Sequence, residues 1–98
     1  MNRIYTMTTR FVWSEAKRRR NRDQHGLDFA EAANVFSGAT LTFEDDRFKY
    51  GERTFVTLGL LSGIPVSSVH TEDKHETRII SFRKATIRET EHFFQSFG

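Results

Sequence analysis

Polar and apolar residues along this 98-residue chain fall into three successive patterns. From Ser14 to His25 the residues suit a helix throughout, with Ser14 placed to cap its start and Gly26 to close its end. Ala16 is the only apolar residue inside it, so no apolar stripe seats this helix on a core and its inward face must be polar. Asp28 can cap a second, short helix in which Phe29, Ala32, Ala33 and Phe36 recur at three- and four-residue spacing until Ser37 and Gly38 stop it. From Leu41 the period changes to two. Leu41, Phe43 and Asp45 alternate with Thr42 and Glu44, and the polar cluster from Asp45 to Gly51 reads as a hairpin connection. Arg53 to Leu61 is rich in β-branched and aromatic residues, Ser62 to Pro65 turns the chain, Val66 to Glu72 follows, and Asp73 and Lys74 turn it again before His75 to Lys84. Four antiparallel strands are therefore expected between Leu41 and Lys84, the third and fourth joined by a tight loop. Thr86 and Glu89 have capping-box spacing, which predicts a last helix from Ile87 to about Gln95. Its Ile87, Phe93, Phe94 and Phe97 either pack on the sheet or present an apolar patch to a partner.

This order of elements predicts an α+β fold: two N-terminal helices and a C-terminal helix against a mainly antiparallel four-stranded sheet. Ninety-eight residues suffice for one domain and leave nothing for a second core, with residues 1–9 a loosely ordered or strand-forming extension. The chain has no Cys, which excludes disulfides, thiolate metal sites and Cys nucleophiles together, while ten Phe supply much of the core. No run is long and apolar enough for a membrane span, and Met1 to Arg10 lacks the apolar segment of a secretory signal, so a cytoplasmic protein is expected.

Charge is unevenly spread. Arg10 to His25 carries six basic residues (Arg10, Lys17, Arg18, Arg19, Arg20, Arg22) against Glu15 and Asp23, a local net of +4 in a chain whose total is +2. Such asymmetry marks a face that meets phosphate or an acidic partner. Four-residue spacing lines up Trp13, Lys17, Asn21 and His25, with Arg20 and Gln24 beside them, so this row could border a site. Arg18, Arg19 and Arg22 point elsewhere around the helix and are expected to be solvated.

Phe11-x-Trp13, Lys17, Asn21, His25-Gly26, Phe29, Ala32 and Val35-Phe36 together resemble the opening signature of the BrnT family. The resemblance continues in order through Glu44-Asp45 to Gly51, Arg53 and Gly59 to Gly63, Thr71-Glu72, and Arg78-Ile79-Ile80-Ser81-x-Arg83-Lys84-Ala85, covering about Arg10 to Glu89. Several weak motifs in one order are more specific than any one alone. Departures are Ser14 where the family commonly has Asp, Gln24 where a basic residue usually precedes the His, and His70 where an aromatic residue is usual. The resemblance implies a RelE-like fold with a curved, mainly antiparallel sheet, an RNA-cleaving toxin of a type II toxin–antitoxin system, a neutralising BrnA-like antitoxin with a ribbon-helix-helix DNA-binding domain, and operator DNA reached through that antitoxin. No cofactor is implied.

Cleaving RNA without a metal turns the 2′-hydroxyl on the adjacent phosphorus, which needs a base, an acid and cations around the phosphorane. His25 and His70 are the candidate acids or bases, His25 with an equally ordinary role at the helix end. His70 and Glu72 share a strand face and either act together or form a cross-strand pair. Arg78 and Arg83 are the candidate phosphorane cations, but their spacing puts them on opposite sheet faces unless a bulge intervenes. Lys17, Arg20, Asn21, Arg53 and Lys84 complete the set as substrate-binding candidates, and Lys17, Arg20 and His25 as contacts for substrate or antitoxin. His70 and His75 flank a turn without a third ligand fixed by spacing, so no metal site is expected. The rival readings are a non-catalytic nucleic-acid-binding module and an inactive relative kept as an antitoxin-bound co-repressor.

Overall fold

The computed structural model describes residues 10–46 and 52–97. Its elements are β1 (Arg10–Val12), α1 (Glu15–His25), a 3-10 turn (Phe29–Glu31), α2 (Ala32–Phe36), β2 (Leu41–Asp45), β3 (Thr54–Leu61), β4 (Ile64–Glu72), β5 (Glu76–Lys84) and α3 (Ile87–Phe97). The extension 1–9 and most of the connection after Asp45 lie outside the described residues.

The sheet has five strands in the order β1-β5-β4-β3-β2, not the four expected. β2 to β5 form the anticipated antiparallel meander. The additional strand, β1, pairs in parallel with β5 through Arg10 to Val12, making the sheet mixed. Three residues are too few to show a strand period, and their partner lies at the other end of the sequence. Arg10 also forms an ion pair with Glu76 beside it.

Local signals explain the turns. Ser62 and Gly63, at φ 50° and 81°, close a two-residue hairpin between β3 and β4, and this primed geometry matches the twist of the flanking strands. The turn is shorter than expected because Ile64 and Pro65 belong to β4. Pro65 has no N–H to give, and it sits where the sheet's pairing ends, its carbonyl accepting from Ala85 N–H at 3.0 Å. Between β4 and β5 the Asp73 carboxylate accepts from the N–H groups of His75 and Glu76, both at 2.8 Å. Those two bonds hold its carboxyl below the ordinary value.

Two apolar clusters cover opposite faces of the sheet. On one face Phe29, Ala32, Val35 and Phe36 pack on Val66, Ile79 and Phe82, with Trp13 edge-on to Phe29 at 6.4 Å between ring centres. On the other, Phe93 of α3 packs on Val56 and Leu58. α3 starts at the expected capping box: Glu89 N–H donates to Thr86 Oγ1 at 3.1 Å, and Thr86 N–H to Glu89 Oε1 at 2.9 Å. Its apolar residues divide between the two expectations, since Phe93 is buried while Ile87, Phe94 and Phe97 are exposed.

α1 is seated by polar contacts, as its composition demanded. Asn21 is its one buried residue. The side-chain amide of Asn21 donates to the carbonyls of Phe82 at 2.7 Å and Leu27 at 3.0 Å, and its oxygen accepts from Phe82 N–H at 3.0 Å. A second tie comes from Arg18, whose guanidinium grips both oxygens of Asp28 at 2.7 and 2.9 Å. Arg18 is thus anchored rather than solvated, and Asp28 also caps the 3-10 turn through Ala30 N–H at 3.0 Å.

Candidate nucleic-acid interface

β1 leaves β5 at the pair Val12 and Arg78, and α1 takes over that edge through Asn21 four residues later. Between these two points the register of β4 and β5 slips: Val69 pairs with Ser81 and His70 with Ile79, which leaves Ile80 without a partner strand residue. Such bulges bend a strand locally and re-aim its side chains. α1 and this bulge enclose a cleft of about 240 Å³ lined by Lys17, Arg20, Asn21, Gln24, His25, Ile80 and Ser81.

Five of those seven residues form the polar row read from the spacing along α1. Their roles differ. Asn21 is consumed by the backbone of β5 and Leu27, so it holds the helix in place and has no donor or acceptor directed to a substrate. Lys17, Arg20, Gln24 and His25 are exposed. The basic run thereby sorts itself: Arg18 and Arg22 converge on Asp28, with Arg22 at 3.6 Å, whereas Lys17, Arg20 and His25 make no ion pair among the described residues. Charge without an internal partner remains available to a ligand.

A second cleft of about 320 Å³ lies at the other end of β5, lined by Glu52, Arg53, Thr71, Glu72, Asp73, Glu76 and Arg78. Acidic side chains outnumber basic ones here, and both arginines have acidic neighbours. Arg53 binds Glu44 through two bonds at 2.9 and 3.1 Å and lies over the Phe55 ring, while Arg78 is 3.8 Å from Glu52. The Arg53 guanidinium keeps the Glu44 carboxyl below its ordinary value.

The structure corrects several expectations. His70 is fully buried, its ring edge-on to Phe36 and stacked on Phe55, so it has no surface to offer a substrate. Its Nε2 meets Thr57 Oγ1 at 2.7 Å, and Thr57 in turn meets Thr42 Oγ1 at 2.7 Å. Its Nδ1 lies 3.7 Å from Glu72 Oε1, so the expected pairing with Glu72 exists, but as a buried support for a carboxylate at the edge of the second cleft. The bulge at Ile80 also changes the arginines. Arg78 pairs with Thr71 and Arg83 with Ser67, two positions of β4 on the same face, so both arginines face the α3 side. Arg83 lines neither cleft; it clasps Glu89 at 2.8 and 3.0 Å and fastens α3 to the end of β5. Lys84 is exposed and also outside both clefts. Among the described residues no group of three or more His, Asp or Glu is placed to hold a metal ion.

A family model described as "Ribonuclease toxin, BrnT, of type II toxin-antitoxin system" matches residues 13–89, a span that holds both clefts from Trp13 to the Arg83–Glu89 clasp. The chain belongs to the BrnT family. It is accordingly a member of a ribonuclease toxin family, and toxin–antitoxin membership implies an antitoxin partner. No curated protein matches the sequence. No helix among the described residues is long and apolar enough to cross a membrane.

Sequence reasoning missed three residues of this BrnT chain that shape the interface. Ile80, whose bulge forms the cleft floor, leaves no signal in a strand whose apolar residues are consecutive. Asp28 was legible as a cap but not as the anchor of Arg18, because the pair spans a turn. Glu89 was legible as half of a capping box but not as the partner of Arg83.

Proposed function

We propose that this BrnT chain binds RNA along α1 and cleaves it in the cleft between α1 and the β5 bulge, in the manner of a RelE-like, metal-independent endoribonuclease. The observation that carries this reading is the grouping of Lys17, Arg20 and His25 around one cleft with no acidic side chain in its lining, beside a helix otherwise held by polar clasps. Lys17 and Arg20 supply charge to the scissile phosphate, where a cation stabilises the developing phosphorane more than the ground state. His25 is the lining side chain whose chemistry suits proton transfer: as the 2′-oxygen bonds to phosphorus and the 5′-oxygen leaves, it either takes the 2′-hydroxyl proton or protonates the 5′-oxygen, with water making the other transfer. The chain works as a single domain in the cytoplasm, arrests growth when unopposed, and is neutralised by a BrnA-like antitoxin. That antitoxin carries a ribbon-helix-helix domain through which the pair reaches operator DNA.

A second reading places the chemistry in the other cleft, with Glu72 as the base and Arg78 as the cation. It is favoured by the buried His70, which supports the Glu72 carboxylate from behind. The net acidity of that cleft disfavours it as the main phosphate-binding surface.

One experiment separates the two. Purified chain is incubated with a mixed-sequence RNA in EDTA, comparing wild type with His25→Ala, Lys17→Ala/Arg20→Ala and Glu72→Gln/Arg78→Ala. The α1 reading expects cleavage in EDTA and a loss of about 10²-fold or more for His25→Ala, with Glu72→Gln/Arg78→Ala near wild type. The opposite pattern moves the chemistry to the second cleft. Intact RNA with folded wild type overturns both. Induction of the chain with and without its antitoxin tests the growth arrest.

A further inference from the structure

The cleft beside α1 contains one neutral side chain on α1 whose hydrogen-bonding groups suit a base edge. Gln24 is exposed, lines the cleft next to Lys17, Arg20 and His25, and forms no hydrogen bond among the described residues. A carboxamide can donate to a phosphate oxygen as the two cations do, but unlike them it carries a donor and an acceptor side by side. Facing it across the cleft are Ile80 and Ser81 of β5, where the bulge gives Ile80 no register partner on either neighbouring strand. Ile80 is half-buried, so part of its apolar surface faces the opening. An apolar floor, an amide edge and a cationic rim, in a space of about 240 Å³ on the scale of one nucleotide, together form a seat for an unpaired base.

We propose that Gln24 is a specificity-determining residue that reads adenine in single-stranded RNA, its carboxamide pairing with the base edge while Ile80 supports the base face. Adenine is the base the geometry favours. A single carboxamide pairs in a bidentate way with a donor adjacent to an acceptor, as in the N6 and N7 edge of adenine. In an unpaired strand, adenine presents that arrangement on both its Watson–Crick and its Hoogsteen edges. Guanine shows it on its Watson–Crick edge, where N1–H adjoins O6, but has two acceptors on its Hoogsteen edge, and the pyrimidines likewise show it on one edge only. Asn21 cannot perform the same reading, because Phe82 and Leu27 occupy its amide.

This proposal rests on α1 being the RNA-binding face, and its test separates the two ideas. Fluorescence anisotropy is measured on the full chain with labelled UUAUU, UUCUU, UUGUU and UUUUU, for wild type, Gln24→Ala and Gln24→Glu. Cut sites are mapped in parallel on a mixed-sequence RNA. Wild type is expected to bind UUAUU about tenfold more tightly than the other three and to cut beside adenine. Gln24→Ala is expected to bring all four affinities within about twofold of one another while circular dichroism shows the same folded protein, because an exposed helical side chain carries little of the fold. Gln24→Glu keeps the shape but loses the amide donor, and it should also lose the adenine preference. Equal wild-type affinities with unbiased cut sites, or an adenine preference that survives Gln24→Ala, overturn the proposal. A Gln24-dependent adenine preference without cleavage supports it and removes the ribonuclease reading instead.

Discussion

The side-chain amide of Asn21 pairs with the backbone of Phe82 as a neighbouring strand would, donating to its carbonyl at 2.7 Å and accepting from its N–H at 3.0 Å. β1 has ended four residues earlier, so without Asn21 these buried groups on β5 would face an edge with nothing to bond. The same amide binds Leu27 at 3.0 Å, which ties both the body and the exit of α1 to the sheet. Asn21→Leu leaves one donor and two acceptors unpaired, and each such group costs roughly 1–3 kcal/mol, so urea denaturation should show a loss of about 3 kcal/mol. Asn21→Asp should be at least as damaging. A carboxylate can accept from Phe82 N–H, but it faces two carbonyls to which it cannot donate.

Asp28 gathers Arg18, Arg22 and the N–H of Ala30 around one carboxylate. The Arg18 guanidinium, then the Ala30 N–H, hold its carboxyl far below the usual range, against a smaller opposing effect of burial. A carboxyl depressed on folding stabilises the fold fully above its unfolded pKa, about 3.9 for Asp, and this contribution fades as pH falls toward the folded value. Asp28→Asn keeps the cap and removes the charge. The expected result is a variant less stable than wild type at pH 7, with the gap in thermal midpoint narrowing steadily as pH is lowered below about 4. A constant gap would show that the ion pair contributes nothing to it.

Arg83 and Arg78 sit on one strand and one face, yet their surroundings assign them different work. Arg83 is held by Glu89, whose burial opposes ionisation but is outweighed by the guanidinium and by Thr86 N–H, leaving its carboxyl below the ordinary value. Arg83→Ala should therefore free the start of α3 and lower stability by about 1 kcal/mol, without changing the sequence at which RNA is cut. Amide hydrogen exchange confined to α3 and the end of β5 is the measurement that checks it.

Gly59 supplies a separate test of the packing behind the site. A Cβ built there would lie 2.6 Å from Val35 Cγ1, so α2 approaches β3 only because this residue has no side chain. Gly59→Ala should push α2 outward at a cost of about 1–3 kcal/mol, and Gly59→Ala with Val35→Ala should recover part of it. If the double variant is as unstable as the sum of the two singles, the contact is not the cause.

Local chemistry was readable and long-range chemistry was not. Ser14, Gly26, Thr86 and Glu89 announced both ends of α1 and the start of α3 because caps depend on residues within one turn. The missing apolar stripe of α1 correctly announced a polar seat, and the row Lys17, Arg20, Asn21, Gln24, His25, read as a possible border of a site, lines one cleft. What that row could not reveal is that Asn21 would be spent on β5, since its partner Phe82 lies 61 positions away. The same distance problem hid β1. His70 was taken for a site residue for another reason: alternation along β4 puts Ser68, His70 and Glu72 on one face, and a polar row of this kind reads as exposed unless its Thr57 partner is known.

Lys17 and Arg20 yield the sharpest functional test, because their charges are the ones in the cleft with no acidic partner among the described residues. For single-stranded nucleic acid, each neutralised phosphate contributes about −0.7 to the slope of log K against log salt. Lys17→Ala and Arg20→Ala should each flatten that slope by about 0.7, and the double variant by the sum. Arg18→Ala should leave the slope within error of wild type, because its charge is already answered by Asp28 and Glu15. Arg18→Ala thus serves as the internal control: it removes the same charge from the same helix. If it flattens the slope as much as Arg20→Ala does, binding follows the net charge of α1 as a whole. The cleft would then have no privileged place in RNA recognition.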